Sequence, residues 1–149
     1  MTDQILILVR GLPGSGKTTF AKMFDAALFS ADDYFTDPET DEYNFDPSKL
    51  PQAHAQCLEN ARESVLQRQG ITVVANTFSC RWEMEPYLRF SDSPLRLRTF
   101  IVDLFDNGET DEELAERNSH GVPWLIIRRM RERWEHDWKT GNPLPPWER

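Results

Sequence analysis

The run Gly11-Leu12-Pro13-Gly14-Ser15-Gly16-Lys17-Thr18 leaves this chain few ways to fold. It stands between the apolar stretch Ile5-Leu6-Ile7-Leu8-Val9 and the helix-compatible Thr19-Phe20-Ala21-Lys22-Met23-Phe24. The spacing G-x-x-x-x-G-K-T is that of a phosphate-binding loop. Its glycines let backbone N–H groups turn inward around phosphate oxygens, Lys17 can reach the β- and γ-phosphates, and the Thr18 hydroxyl can ligate Mg²⁺. A helix opening near Lys17 adds the positive end of its dipole. Such spacing can also arise by chance in a glycine-rich turn, but a buried-strand pattern before it and a helix after it are the context that a nucleoside triphosphate site needs. Contacts to ATP are expected from Gly11 through Thr18 and on to Thr19.

Charge and size narrow the possibilities. A chain of 149 residues is long enough for one packed domain and short for two, so residues 1–149 are expected to form a single unit. The formal net charge of -8 argues against coating nucleic acid by bulk electrostatics and requires any basic site to be local. Two cysteines, Cys57 and Cys80, read as packed thiols rather than a disulfide. With no signal peptide and no membrane-length apolar stretch, a reducing cytoplasm is the expected compartment and no membrane partner is expected.

After the first helix, ending near Ala27, the run Leu28-Phe29-Ser30 reads as a second strand, and Asp32 and Asp33 follow directly. Ligands of open parallel sheets collect beyond the carboxyl ends of strands, so this carboxylate pair shares an edge with the phosphate loop. One member can serve as a catalytic base, while at least one is expected to cap a turn or helix. The acid-rich run from Asp37 to Asp46 reads as a solvated loop. Asp46-Pro47 then starts a helix as N-cap and first position, Leu50, His54, Cys57, Leu58, Ala61 and Val65 recur at helical spacing, and Gly70 stops it. His54 reads as a packed or capping histidine, since no metal-spaced partner accompanies it.

Ile71-Thr72-Val73-Val74-Ala75 reads as a third, buried strand running into Asn76-Thr77, without the Asp that often holds Mg²⁺ at this point. The metal would then rest on Thr18, phosphates and water, with Asp32 or Asp33 close by. Asn76 and Thr77 could orient an acceptor or a bridging water. Residues from Arg81 to Tyr87 form a short irregular helical segment, in which Trp82 and Tyr87 either stack on a base or fill core. Leu95 to Asp103 is the expected fourth strand. Thr110 and Glu113 form a capping box, so a helix begins near Asp111. The break Asn118-Ser119-His120-Gly121-Val122-Pro123 divides two helical patterns as a mobile lid would, spanning about residues 114–124. The next helix, expected to run to Gly141, places Ile127, Met130, Trp134 and Trp138 on one face. Arg128, Arg129, Arg131 and Arg133 are either a solvated face or, with Arg117, a local basic patch suited to transferred phosphate.

These motifs carry a family resemblance. Arg10 to Thr18, Ser30-Ala31-Asp32-Asp33-Tyr34-Phe35, Tyr43-Asn44-Phe45-Asp46-Pro47, Ala53-His54, Asn76-Thr77, Trp82-Glu83-Met84-Glu85-Pro86-Tyr87 and Arg117-Asn118-Ser119-His120-Gly121-Val122-Pro123 together resemble the polynucleotide 5′-hydroxyl kinases and the kinase domain of NEDD4-binding proteins, with phage kinases of 5-hydroxymethyluracil in DNA as close relatives. The resemblance implies Asp32 as general base, Lys17 and Thr18 as phosphate and Mg²⁺ ligands, Asp33 as a further metal ligand and Arg117 as the lid arginine. Two departures stand out. Phe78 occupies the third position after the third strand, and Phe35 and Thr36 stand where a basic residue often holds the acceptor's phosphate.

The expectation is therefore an α/β, three-layer P-loop NTPase fold with a parallel sheet and a helical lid, using ATP and Mg²⁺ to phosphorylate a hydroxyl on nucleic acid, DNA in preference to RNA. A small-molecule kinase and a nucleotide-dependent switch are the alternatives.

Overall fold

β1 (Gln4–Gly11) is buried along almost its whole length, as an unbroken apolar run requires of a central parallel strand. In the computed structural model, which describes residues 3–67, 70–92 and 96–149, β1 lies between β3 (Ile71–Asn76) and β4 (Leu97–Phe105), and β2 (Ala27–Phe29) pairs with the far side of β3. All these pairings are parallel, in the order β2-β3-β1-β4. Val9 stands level with Ala75 and Val102, so the phosphate loop and the segments after β2 and β3 leave the sheet along one edge.

Helices cover both faces of the sheet. On one, Leu6, Leu8 and Val74 pack against Cys57 and Ala61 of α2 (Leu50–Leu66) and Met84 and Tyr87 of α3 (Arg81–Leu88). On the other, Ile7, Val9, Val73 and Ala75 meet Phe20 and Ala21 of α1 (Lys17–Ala21) and Phe24 beyond it. A fully buried side chain such as Leu6 or Leu8 contributes about 1.5–3 kcal/mol. A separate cluster of Leu12, Leu114, Ile127 and Trp134 joins α4 (Asp111–Arg117) and α5 (Trp124–Glu132) to the phosphate loop. The expected three-layer α/β fold is the observed one. No helix among the described residues is long and apolar enough to cross a membrane.

Several boundaries differ from the sequence reading. α1 stops at Ala21, where the chain turns so that Phe24 packs edge-on to Phe20 and Ala27 can pair with Thr72. Asp46 caps a 3-10 turn over Pro47–Lys49, and α2 follows from Leu50. β4 extends to Phe105, while Leu95, the expected start of this strand, lies outside the described residues. α5 ends at Glu132 rather than near Gly141: Trp134 is drawn into the cluster around Leu12, and Trp138 packs with the α2 side of the sheet. Tyr87 is core, edge-on to Phe78 and Phe90. Both cysteines are free thiols.

The largest fully buried side chain is a cation, Arg10. Nε donates to Phe78 O at 3.0 Å, Nη2 to Ser79 O at 2.9 Å, and Nη1 to Glu135 O at 2.9 Å and Asp103 Oδ2 at 3.1 Å. Its guanidinium carbon lies 4.1 Å from the centre of the Trp134 ring. Burial lowers its pKa, opposed chiefly by Asp103, yet an arginine stays charged under these conditions. One side chain thereby fastens β1, β4, the loop after β3 and the segment after α5. Arg10→Met should destabilise the fold by about 3–5 kcal/mol, because it strands Asp103 and buried carbonyls, and Arg10→Lys should recover little for want of the planar fork. Urea unfolding measures both; a loss below about 1 kcal/mol in R10M would show that these contacts are dispensable.

Candidate active site

The phosphate loop has the geometry of an anion cradle. Gly14 and Gly16 take φ of 83° and 95°, in the left-handed region that favours glycine. A Cβ at Gly14 would stand 2.5 Å from Leu114 O, so glycine also permits the close seating of α4 on the loop. Gly16 caps α1 without a side-chain hydrogen bond, leaving first-turn N–H groups to a ligand. Lys17 Nζ donates to Gly11 O at 2.8 Å and Leu12 O at 3.1 Å. Burial pushes its pKa down to about 8, against an opposing pull from Asp32. Ser15 Oγ is buried without a hydrogen-bond partner. An orphaned hydroxyl, a desolvated ammonium and open N–H groups together fit a polyphosphate. Thr18 and Thr19 are exposed and line the same cavity.

Asp32 and Asp33 lie in a 3-10 turn over Ala31–Phe35, and they divide the two roles expected of the pair. Asp33 Oδ2 accepts from Ser30 N at 3.1 Å and closes a capping box; burial raises its pKa, and it does not line the cavity. The placement expected for a metal ligand is thus occupied by backbone capping. Asp32 does line the cavity. Tyr43 Oη donates to Asp32 Oδ1 at 3.0 Å, and burial together with Asp32 raises the phenol's pKa, so Tyr43 remains a donor. His120 Nδ1 stands 3.3 Å from Asp32 Oδ2. Asn76, at the end of β3, is 7% exposed and accepts from Ala31 N at 2.9 Å. Rather than facing an acceptor through its oxygen, it fixes the start of the turn that carries Asp32. Among the described residues no cluster of His, Cys, Asp and Glu could hold a metal by itself.

The segment expected to be a mobile lid is anchored. Leu114 and Ile127 are fully buried, and Arg131 binds Asp111 Oδ1 at 2.7 Å, Glu109 O at 3.0 Å and Asp106. Arg131 is therefore a clamp between α4 and α5, not part of a polyanion track, and Arg128 pairs with Glu132 on the exposed face of α5. Asn118 pins the intervening loop: its Nδ2 donates to Leu114 O, Ala115 O and Val122 O, and its Oδ1 accepts from Val122 N. Arg117 lines the cavity, with Nη1 held by Glu109 Oε1 at 2.7 Å.

The cavity measures about 1470 Å³, more than the roughly 300–1,000 Å³ of a single small-ligand site. Beyond Lys17 and Arg117 it is lined by Arg89, Arg133 and Arg149, and by Trp82, which meets Trp147 edge-on at 5.3 Å. His54 lines it too, its pKa lowered by burial against the pull of Asp32. Sequence periodicity placed His54 on the packed face of α2, and nothing in the sequence paired Tyr43 or His120 with Asp32.

A parallel sheet of this order, with a phosphate loop after β1 and a carboxylate after β2 at the same edge, defines a P-loop kinase-like fold. A family model described as an AAA domain matches residues 6–136, and the chain belongs to that family. It is 34% identical over 141 residues to human NEDD4-binding protein 2, an alignment covering 88% of this chain and 8% of that protein. This chain therefore corresponds to a small part of that relative. The fold is similar to a chain of the Pnkp1/Rnl/Hen1 RNA repair complex, with a TM-score of 0.61 and 17% identity over 89% of this chain and 44% of that one. It is also similar to a gluconokinase from Sinorhizobium meliloti 1021, with a TM-score of 0.51 and 19% identity over 91% and 77%.

Keeping Lys17 charged at pH 7 destabilises the ligand-free fold relative to the unfolded chain by about 3 kcal/mol. Its folded pKa lies below the ordinary 10.5, so from about pH 8 to 10.5 the unfolded chain binds more protons and stability rises with pH. Melting curves of the wild type should show a rise over this window that Lys17→Ala lacks. K17A should fold while losing the melting shift that ADP confers; an ADP shift kept in K17A would remove the phosphate-loop assignment.

Proposed function

We propose that this chain is an ATP- and Mg²⁺-dependent kinase whose acceptor is a hydroxyl on nucleic acid, at a 5′ end or on a hydroxymethylated base. The observation that carries the reading is Asp32, a carboxylate held by Tyr43 in the cavity that also receives the phosphate loop. Lys17 and the loop N–H groups hold the triphosphate, and Thr18 would hold Mg²⁺ together with phosphate oxygens and water. The metal supplies neutralisation of charge on the β- and γ-phosphates. Asp32 activates the acceptor hydroxyl, and Arg117 stabilises charge on the transferred group.

Support for a nucleic acid acceptor comes from Arg89, Arg133 and Arg149, which line the cavity alternating with Glu83, Glu85, Glu135 and Glu148 and so suit contact with few phosphates, and from Trp82 beside them for base stacking. The likeness to a chain of an RNA repair complex agrees with this reading. DNA is the proposed polymer, with RNA as the contrasting arm of the test.

Label transfer from γ-labelled ATP, measured across 5′-hydroxyl DNA and RNA, hydroxymethylated duplex, nucleosides and gluconate, tests the acceptor. Transfer to a polymer should dominate; nucleosides or gluconate outcompeting every polymer would replace the proposal with a small-molecule kinase. Asp32→Asn should lower turnover by about 10² to 10⁴ with ATP affinity little changed, and Asp33→Asn should act mainly on stability. Arg117→Ala should reduce kcat by up to about 10³ to 10⁵; equal losses in kcat and ATP affinity would make Arg117 a ground-state contact.

A further inference from the structure

The kinase reading gives His120 no role, yet its position is specified from several sides. Nδ1 stands 3.3 Å from Asp32 Oδ2, and the ring stacks on Tyr43 with centroids 4.1 Å apart and planes 24° apart. Tyr43 itself donates to the other carboxylate oxygen, at 3.0 Å. One oxygen of Asp32 thus accepts a hydrogen bond from a phenol, and the other lies 3.3 Å from an imidazole nitrogen that reaches toward it from the lid loop. That loop is stiff where it matters: Asn118 ties it to α4 and to Val122, and Gly121 turns it with φ of 70°. His120 lines the cavity with its side chain 34% exposed, so the imidazole remains open to an acceptor.

A carboxylate bound to one ring nitrogen of a histidine fixes the tautomer, places the lone pair on the other nitrogen and stabilises the imidazolium that forms. We propose that Asp32 and His120 act as a dyad in which Asp32 accepts from Nδ1–H and His120 Nε2 takes the proton of the acceptor hydroxyl. The proposal rests on the kinase reading and refines how Asp32 activates the acceptor. The acceptor oxygen bonds to the γ-phosphorus while the bond from that phosphorus to the β–γ bridging oxygen breaks, its electron pair leaving with ADP. The hydroxyl proton moves to Nε2, the imidazolium is held against ionised Asp32, and the proton then passes to solvent. The ionisable groups around the dyad are Asp33 beside Asp32, Tyr43 beneath the ring, Lys17 on α1, His54 on α2 and Arg117 on α4. Of these, Lys17, Tyr43, His54 and Asp33 each feel the charge of Asp32.

Two measurements test the dyad, one of them independent of turnover. Long-range ¹H–¹⁵N correlation on the ligand-free protein at pH 8, with the His120 signals assigned by their loss in H120N, should show the Nδ1–H tautomer in the wild type. The same signals should move to a mixture or to Nε2–H in D32N. An Nε2–H tautomer in the wild type, or no change in D32N, would overturn the dyad. In label transfer, H120N keeps a donor near Asp32 without an acceptor at the Nε2 position, and H120F keeps the stack on Tyr43 without either. Both should lose about 10²-fold or more in kcat with the KM for ATP within about twofold, and D32N/H120N should lose little more than D32N alone. A kcat for H120N within twofold of wild type overturns the dyad while leaving the kinase reading intact. A wild type that phosphorylates no hydroxyl overturns both.

Discussion

The structure depends on an arginine that has no contact with solvent. Arg10 sits at the carboxyl end of β1, one residue before the phosphate loop, and its guanidinium satisfies carbonyls at Phe78, Ser79 and Glu135 while pairing with Asp103. Burying a charge in this way is favourable only when every donor has a partner, and the partners come from β4, the loop after β3 and the segment after α5. Those are the pieces that must be in register for the loop, Asn76 and the C-terminal wall of the cavity to face one another. Arg10 thereby couples the correctness of the fold to the shape of the site. Trp134, which closes over the guanidinium, is in the same cluster as Leu12 of the loop and Leu114 of α4.

From that hub the site is assembled by short polar links with little slack. Asn76 receives Ala31 N and sets the 3-10 turn; Asp33 caps the turn through Ser30 N; Asp32 is left facing the cavity, where Tyr43 meets it. Opposite, Leu114 O seats against Gly14, and Asn118 and Arg131 hold the lid loop and its helices. The site is largely built before any ligand arrives, and its main uncompensated cost is Lys17, a cation kept partly out of water. A site built in this way gains stability on binding anions, and the positioning it provides is what the proposed phosphoryl transfer would draw on.

How much of this could be read from the residues follows from the range of each interaction. The phosphate loop and the Thr110–Glu113 box are local chemistry, and both appear where the sequence placed them. The parallel sheet was legible because buried parallel strands are continuous apolar runs. Arg131 is neither of the two things its position suggested, solvated face or basic patch, because its partners Asp106 and Asp111 lie far back in the chain. The helical period continues past Glu132, but Trp134 is claimed by Arg10, and no local signal announces that. Tyr43 and His120 are separated by most of a domain in sequence and stack face to face in space. His54 lines the cavity although its spacing matched the buried stripe.

As proposed, the loop and Asp32 form one site that would move a phosphoryl group to a hydroxyl rather than to water. Following the reaction of ATP, Mg²⁺ and a 5′-hydroxyl oligonucleotide by ³¹P NMR tests it directly. A new phosphomonoester resonance should grow in equal amount with ADP and should not form without the oligonucleotide. ADP accompanied only by inorganic phosphate, at a rate indifferent to the oligonucleotide, would contradict it and leave a nucleotide-hydrolysing module in its place.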